Sequence, residues 1–151
     1  MTFYRRPLAA TQVLNRMFSW LASRGLTPRD TVTLEVRGRR SAQPRSTVVT
    51  WVERDGERYL VSPRGESEWV RNLRAAGGQA VIRHGRRQNV RLEEVPGGER
   101  AAILQAYLKK TRRATRQHFG VEPEAGLEAF EAIAGRHPVF RIQPENQEPR
   151  T

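Results

Sequence analysis

The chain has 151 residues, 37% hydrophobic and 28% charged, with a net charge of +11 and no cysteine. These values describe one ordinary globular domain, 1–151, and exclude a disulfide framework and thiolate catalysis. No apolar run approaches the roughly 18 to 20 residues of a helical membrane span, so a cytoplasmic chain that does not cross the bilayer is expected.

Along residues 8–24 the apolar side chains Leu8, Val13, Leu14, Met17, Phe18 and Leu21 recur at three- and four-residue spacing, and Gly25 and Pro28 close the pattern. That is an amphipathic helix, retained in the mature chain, because Gln12, Asn15, Arg16 and Ser19 interrupt what would be the core of a signal peptide. TVTLEVR (31–37) and STVVTWVE (46–53) are β-branched and alternating, and the stretch GRRSAQPR between them forms a long basic loop. Asp55-Gly56 is a two-residue turn signal into a third strand at 57–62. A short helix is expected over 67–76, stopping at Gly77-Gly78, and a hairpin over 79–84 and 88–96 around Gly85. Helices over 99–118 and 123–134, a last strand near 138–143 and a frayed polar tail at 144–151 complete an α+β domain. Its barrel strands lie in 31–96 plus that last strand, and consecutive antiparallel strands of this kind can close into a small barrel.

The surplus of 27 Lys+Arg over 16 Asp+Glu favours polyanions of any kind: nucleic acid, an anionic lipid surface, or a phosphorylated and carboxylated small molecule. Arg39, Arg40 and Arg45 concentrate three planar, permanently charged forks in one hairpin loop, a candidate anion clamp as well as an ordinary solvated loop. SPRGESEW (62–69) lies between a strand end and a helix start, where backbone amides can face an anion and Ser67 can cap the helix. Trp69 and Asn72 share one face of that helix. The run KKTRRATR (109–116) is the densest charge in the chain, but aromatics do not interleave with it as a base-stacking platform requires, so nucleic acid is not the expected partner.

His84, His118 and His137 lie far apart without ligand spacing, and no GxGxxG or Walker loop occurs, so neither a metal site nor acid–base or nucleophilic catalytic residues are read from the sequence. An enzyme so equipped takes its chemistry from a cofactor.

GRRSAQPRSTVVTWVERDGERYLVS followed by EWVRNLRA resembles the deazaflavin-dependent nitroreductase family, whose members carry a Gly-Arg-Lys/Arg-Ser/Thr-Gly-x-Pro-Arg loop and a later Trp-x-x-Asn-Leu. The similarity is clear over residues 31–95. It implies a split β-barrel of the FMN-binding-like type, with about six mostly antiparallel strands and flanking helices. It also implies coenzyme F420, a deazaflavin with a phosphodiester and an oligoglutamate tail, as hydride donor to a quinone, nitro compound or enone. By the same resemblance Arg39, Arg40, Ser41 and Arg45 hold the tail and phosphate, and Thr47, Val48, Val49 and Thr50 run along the ring. Trp69 and Asn72 form the end of the pocket wall and its support, while Ser62, Arg64 and Gly65 stand where the family has Ser-Lys-Gly-Gly. Ala42 stands at a position where the family has glycine. On the acceptor side Phe18, Trp20 and Tyr107 are the candidates. FMN or haem in a related barrel, a basic nucleic-acid module and a structural, non-enzymatic barrel are the competing readings. Oligomeric state is left open, and a peripheral contact with the inner face of the membrane is compatible with a quinone acceptor.

Overall fold

The computed structural model describes residues 16, 17, 20, 21, 24, 25, 28–111 and 116–144. Six strands, β1 (Thr31–Arg37), β2 (Pro44–Arg54), β3 (Glu57–Val61), β4 (Gln79–His84), β5 (Arg86–Glu94) and β6 (Val139–Pro144), follow the order β1-β2-β3-β6-β5-β4 and close into a barrel. The registered pairings are antiparallel. Helices α1 (Glu68–Ala75), α2 (Ala101–Thr111), α3 (Arg116–Phe119) and α4 (Leu127–Ile133) connect the strands. This is the α+β barrel that the alternation of the sequence predicts.

The chain divides into two compact units. In the unit that holds β1, β4, β5 and α1, Val32, Leu34 and Val36 form the buried apolar face of β1, Thr33 on its other face is buried as well, and Arg37 at its end is exposed. Ala80 and Ile82 on β4 and Val90 and Leu92 on β5 continue that apolar face. Helix α1 lies beside β1 and buries Val70, Asn72 and Leu73, with Glu68 in its first turn and Arg74 in its last, each complementing the helix dipole. It ends in a Schellman arrangement: Gly78 N–H donates to Leu73 O at 3.0 Å and Gly77 N–H to Arg74 O at 3.1 Å. Gly78 has a second reason to be glycine, since a Cβ there would meet Leu92 O at 2.8 Å.

The other unit, with β3, α2, α3 and α4, is built on a core of Val52, Val61, Leu104, Tyr107, Leu108, Phe119, Phe130 and Val139. Tyr107 and Phe119 meet edge to face at 6.1 Å. Asp55 (φ 52°) and Gly56 (φ 79°) form the tight β2–β3 turn, the two positive φ values that a type I′ hairpin needs.

Two helices are shorter than the sequence pattern suggests. The expected start at Glu99 falls in a 3-10 turn, Gly97–Glu99, and α2 begins at Ala101. Between them Arg100 is spent on its surroundings, donating from Nε to Val95 O (2.8 Å) and from Nη1 to Ala134 O (3.1 Å) and pairing with Glu94 at 3.2 Å. The next helix starts at Leu127 rather than Pro123, because Gly126 is extended (φ −70°, ψ 164°) and Ala125 N–H closes a turn onto Glu122 O. Of the expected N-terminal helix, residues 16, 17, 20 and 21 are helical, and most of the rest lies outside the described residues, as do 112–115 and the tail 145–151.

Candidate functional site: the arginine loop and its anchor

The β1–β2 loop closes on itself before it meets anything else. Gly38 N–H donates to Gln43 O at 2.8 Å, Ala42 N–H to Gly38 O at 3.0 Å, and Gln43 N–H to Ser41 Oγ at 3.2 Å. A Cβ on Gly38 would sit 2.8 Å from Ser41 Oγ and 3.1 Å from Gln43 O, so a side chain there would push on the loop's own closing groups. Because Ser41 Oγ accepts inside the loop, its hydroxyl proton remains to donate outward.

Ala42 carries φ 58°, the left-handed conformation that costs an L-residue about 1–2 kcal/mol. That is the position where the sequence departs from the family glycine. Ala42→Gly is therefore expected to raise the melting temperature by roughly 2 °C, the relieved strain outweighing the added freedom of the unfolded chain. A lower melting temperature in a thermal scan would contradict the strain assignment.

One end of the loop is tied to α1. Asn72, 5% exposed, presents Oδ1 to the Arg39 backbone N–H (3.1 Å) and to Arg39 Nη1 (2.8 Å). On the solvent side Nη1 also meets Glu68 Oε2 at 2.8 Å. The guanidinium beside it holds the Glu68 carboxyl below the usual carboxylate range. Arg40 and Arg45 are exposed and make no ion pair with a described residue. The loop thus presents forks whose orientation starts from a buried amide, a donor set suited to phosphate or carboxylate oxygens.

Beside the loop lies an open groove of about 450 Å³, lined by Glu35, Arg37, Ala42, Pro44, Gln79 and Asn89 among others. Glu35 is held there by Arg87 through two contacts of 3.3 Å and by Arg83 at 3.6 Å. Arg37, Gln79 and Asn89 were not among the residues expected from the sequence. They are outward positions on three strands that only the barrel brings together, and alternation alone marks them as solvent-facing.

The other expected site residues are distributed as follows. Thr47 and Val49 pair with Leu34 and Val32 on the apolar side of β1–β2, while Thr50 Oγ1 lies 3.4 Å from Thr31 Oγ1. Val48 pairs with Thr33 on the opposite side and is half-buried. Trp69 is half-buried on α1. Ser62, Arg64 and Gly65 belong to the other unit. There Ser62, fully buried, donates from Oγ to Gly65 O at 2.5 Å and lies 3.1 Å from Ser67 Oγ, so its hydroxyl shapes its own turn. Trp20 is 56% exposed under the Arg24 guanidinium, Tyr107 is buried in the helical core, and Phe18 lies outside the described residues. Within the basic run, Lys110 donates to Trp51 O at 2.5 Å and its ammonium lies 4.9 Å from the Trp51 ring.

His137 is fully buried beneath the Ser62 turn, with Nδ1 3.4 Å from Ser62 O and the ring edge-on to Phe119 at 4.4 Å. Burial pushes its pKa down to about 4, against the carbonyl, which favours the protonated ring. Among the described residues no cluster of His, Asp or Glu is arranged to hold a metal.

Residues 13–120 match the F420H(2)-dependent quinone reductase family. The chain belongs to that family. It is accordingly an oxidoreductase that draws on reduced coenzyme F420, and the arginine loop with its Asn72 anchor falls wholly within the matched region. No curated protein matches the chain significantly in sequence. Among solved structures, one described as a domain-swapped dimer is 15% identical with a TM-score of 0.55, covering 89% of this chain and 100% of its own. A protein of unknown function from Agrobacterium tumefaciens is 13% identical with a TM-score of 0.55, covering 94% of this chain and 60% of its own. A FAD-binding protein from Mesorhizobium loti is 18% identical with a TM-score of 0.51, covering 85% and 90%. At these identities the likeness concerns the fold alone.

Proposed function

We propose that this family member passes a hydride from reduced F420 to a small electron-poor acceptor, a quinone first of all, and that Arg39, Arg40, Ser41 and Arg45 hold the cofactor's phosphate and carboxylates. The observation that carries this reading is the self-closed loop fixed through Arg39 to the buried Asn72 amide, with Arg40 and Arg45 directed to solvent. When bound, the deazaflavin supplies the hydride. The protein's part is to bind, orient and exclude water. Arg37, Gln79 and Asn89 extend the donor set along the groove beside the loop. Thr47, Val48, Val49 and Thr50 supply the strand on which the ring would rest, and Trp69 is proposed as a wall of that site; Ser62, Arg64 and Gly65 are proposed as cofactor contacts on the family resemblance alone.

Among the described residues no helix is long and apolar enough to cross a membrane. The exposed Met17 and Trp20, with Arg24 over the Trp20 ring, favour a peripheral encounter with an anionic surface from which a quinone could be drawn.

The test is anaerobic oxidation of reduced F420 by quinone, nitro and enone acceptors, comparing wild type with an Arg40→Ala, Arg45→Ala double variant. Because these arginines act far from the reacting carbon, the variant is expected to raise KM for the cofactor about tenfold with kcat little changed. A fall in kcat at unchanged KM would place them elsewhere in the reaction.

A further inference from the structure

Arg39 is held from two sides by groups of different character. Behind it, Asn72 Oδ1 is buried, neutral and fixed on α1; in front, the Glu68 side chain is 67% exposed while that of Arg39 is only 20% exposed. A carboxylate on a solvent-facing, flexible stem can swing away at little cost, since such exposed pairs contribute little to stability. The neutral amide cannot be displaced so readily, because that would strand a partly buried charged donor.

We infer that Glu68 is the resident anion of the Arg39 fork, an internal competitor that a phosphate or carboxylate of the incoming ligand must displace and that thereby sets ligand affinity. The inference rests on the reading of the loop as the cofactor's anion clamp. Arg40 and Arg71 lie close enough to stabilise the same carboxylate, so Glu68 lowers the positive potential of the clamp as well as occupying one fork. Asn72 is the complementary positioning residue: it keeps Arg39 aimed outward while the two anions exchange. Glu68 thus buffers the clamp against small anions, and a ligand carrying several negative charges gains most by displacing it.

The experiment compares wild type, Glu68→Gln and Glu68→Asp by fluorescence titration with coenzyme F420 at low and high salt. In parallel, the rise in melting temperature caused by inorganic pyrophosphate is measured. Aspartate keeps the charge and suits the helix start, but its carboxylate is about 1.5 Å short of Arg39. Both variants are expected to bind F420 about two- to fivefold more tightly than wild type at low salt, with the gain shrinking at high salt. Both should also show a larger rise with pyrophosphate. Glu68→Asp behaving like wild type would show that only net charge matters and overturn the inference, as would no gain in either variant. Should wild type fail to bind F420 while the pyrophosphate gain is present, the competitor role stands and the cofactor reading falls. Should F420 bind without any gain in the variants, the cofactor reading stands and the competitor role falls.

Discussion

Replacing Asn72 with alanine is expected to lower stability by about 2–3 kcal/mol, a drop of roughly 5–10 °C in melting temperature, and to weaken F420 binding at least tenfold. The amide oxygen serves two donors of one residue, the Arg39 backbone N–H and Nη1, from a position only 5% exposed. Alanine leaves the Arg39 backbone N–H without its acceptor and Arg39 Nη1 held only by Glu68 on the solvent side. The loop remains attached to β1 and β2 at its ends, so the fold should survive; what is lost is its register against α1. Asn72→Asp separates the two effects. Its carboxylate accepts both hydrogen bonds and should restore most of the melting temperature. It also neutralises Arg39 from behind, so cofactor affinity should remain low. Thermal scans and fluorescence titrations on the same preparations read both. Wild-type affinity in Asn72→Ala would mean that Arg39 is not part of the binding surface.

A second large effect should appear with pH. His137 has a folded-state pKa of about 4 against an ordinary 6.5, so the native protein keeps the ring neutral where an unfolded chain would protonate it. The unfolded state therefore binds more protons between these values. The stabilisation is fully present above pH 6.5, is lost as pH falls, and levels off below about pH 4, a change of about 3 kcal/mol. Burial is the cause; the Ser62 carbonyl opposes it by favouring the charged ring, and Arg136 and His118 nearby add to the lowering. In chemical denaturation His137→Gln should be less stable than wild type at pH 7, yet lose about 3 kcal/mol less on going to pH 4. Parallel acid sensitivity in the two proteins would show that the ring does not titrate with unfolding.

Much of the barrel is legible from local chemistry, because period-two burial and turn residues agree along each strand. β1 and β4 carry the bounds that alternation assigns, and Asp55-Gly56 adopts the two positive φ values its composition predicts. Helix starts are less legible: Arg100 and Gly126 delay the helices that follow them, through tertiary hydrogen bonds and an extended backbone that no periodicity encodes. The loop itself could be picked out by its density of arginine, but not its anchor. Arg39 and Asn72 lie 33 positions apart, and nothing in their spacing says that one holds the other. Glu68 reads in the sequence as an acidic residue at a helix start; only the fold sets it against Arg39. Nor could composition show that Ser62 is spent on Gly65, since a serine at the end of a strand looks equally available to a ligand.

The role of the arginine loop as the anion clamp of a deazaflavin is tested most directly by fluorescence titration of the purified protein with coenzyme F420 and, separately, with FMN. Saturable quenching at micromolar F420, weakened by salt and by Asn72→Ala, with no comparable response to FMN, is the predicted result. Absence of saturation with F420, or tight binding of FMN in its place, would contradict it.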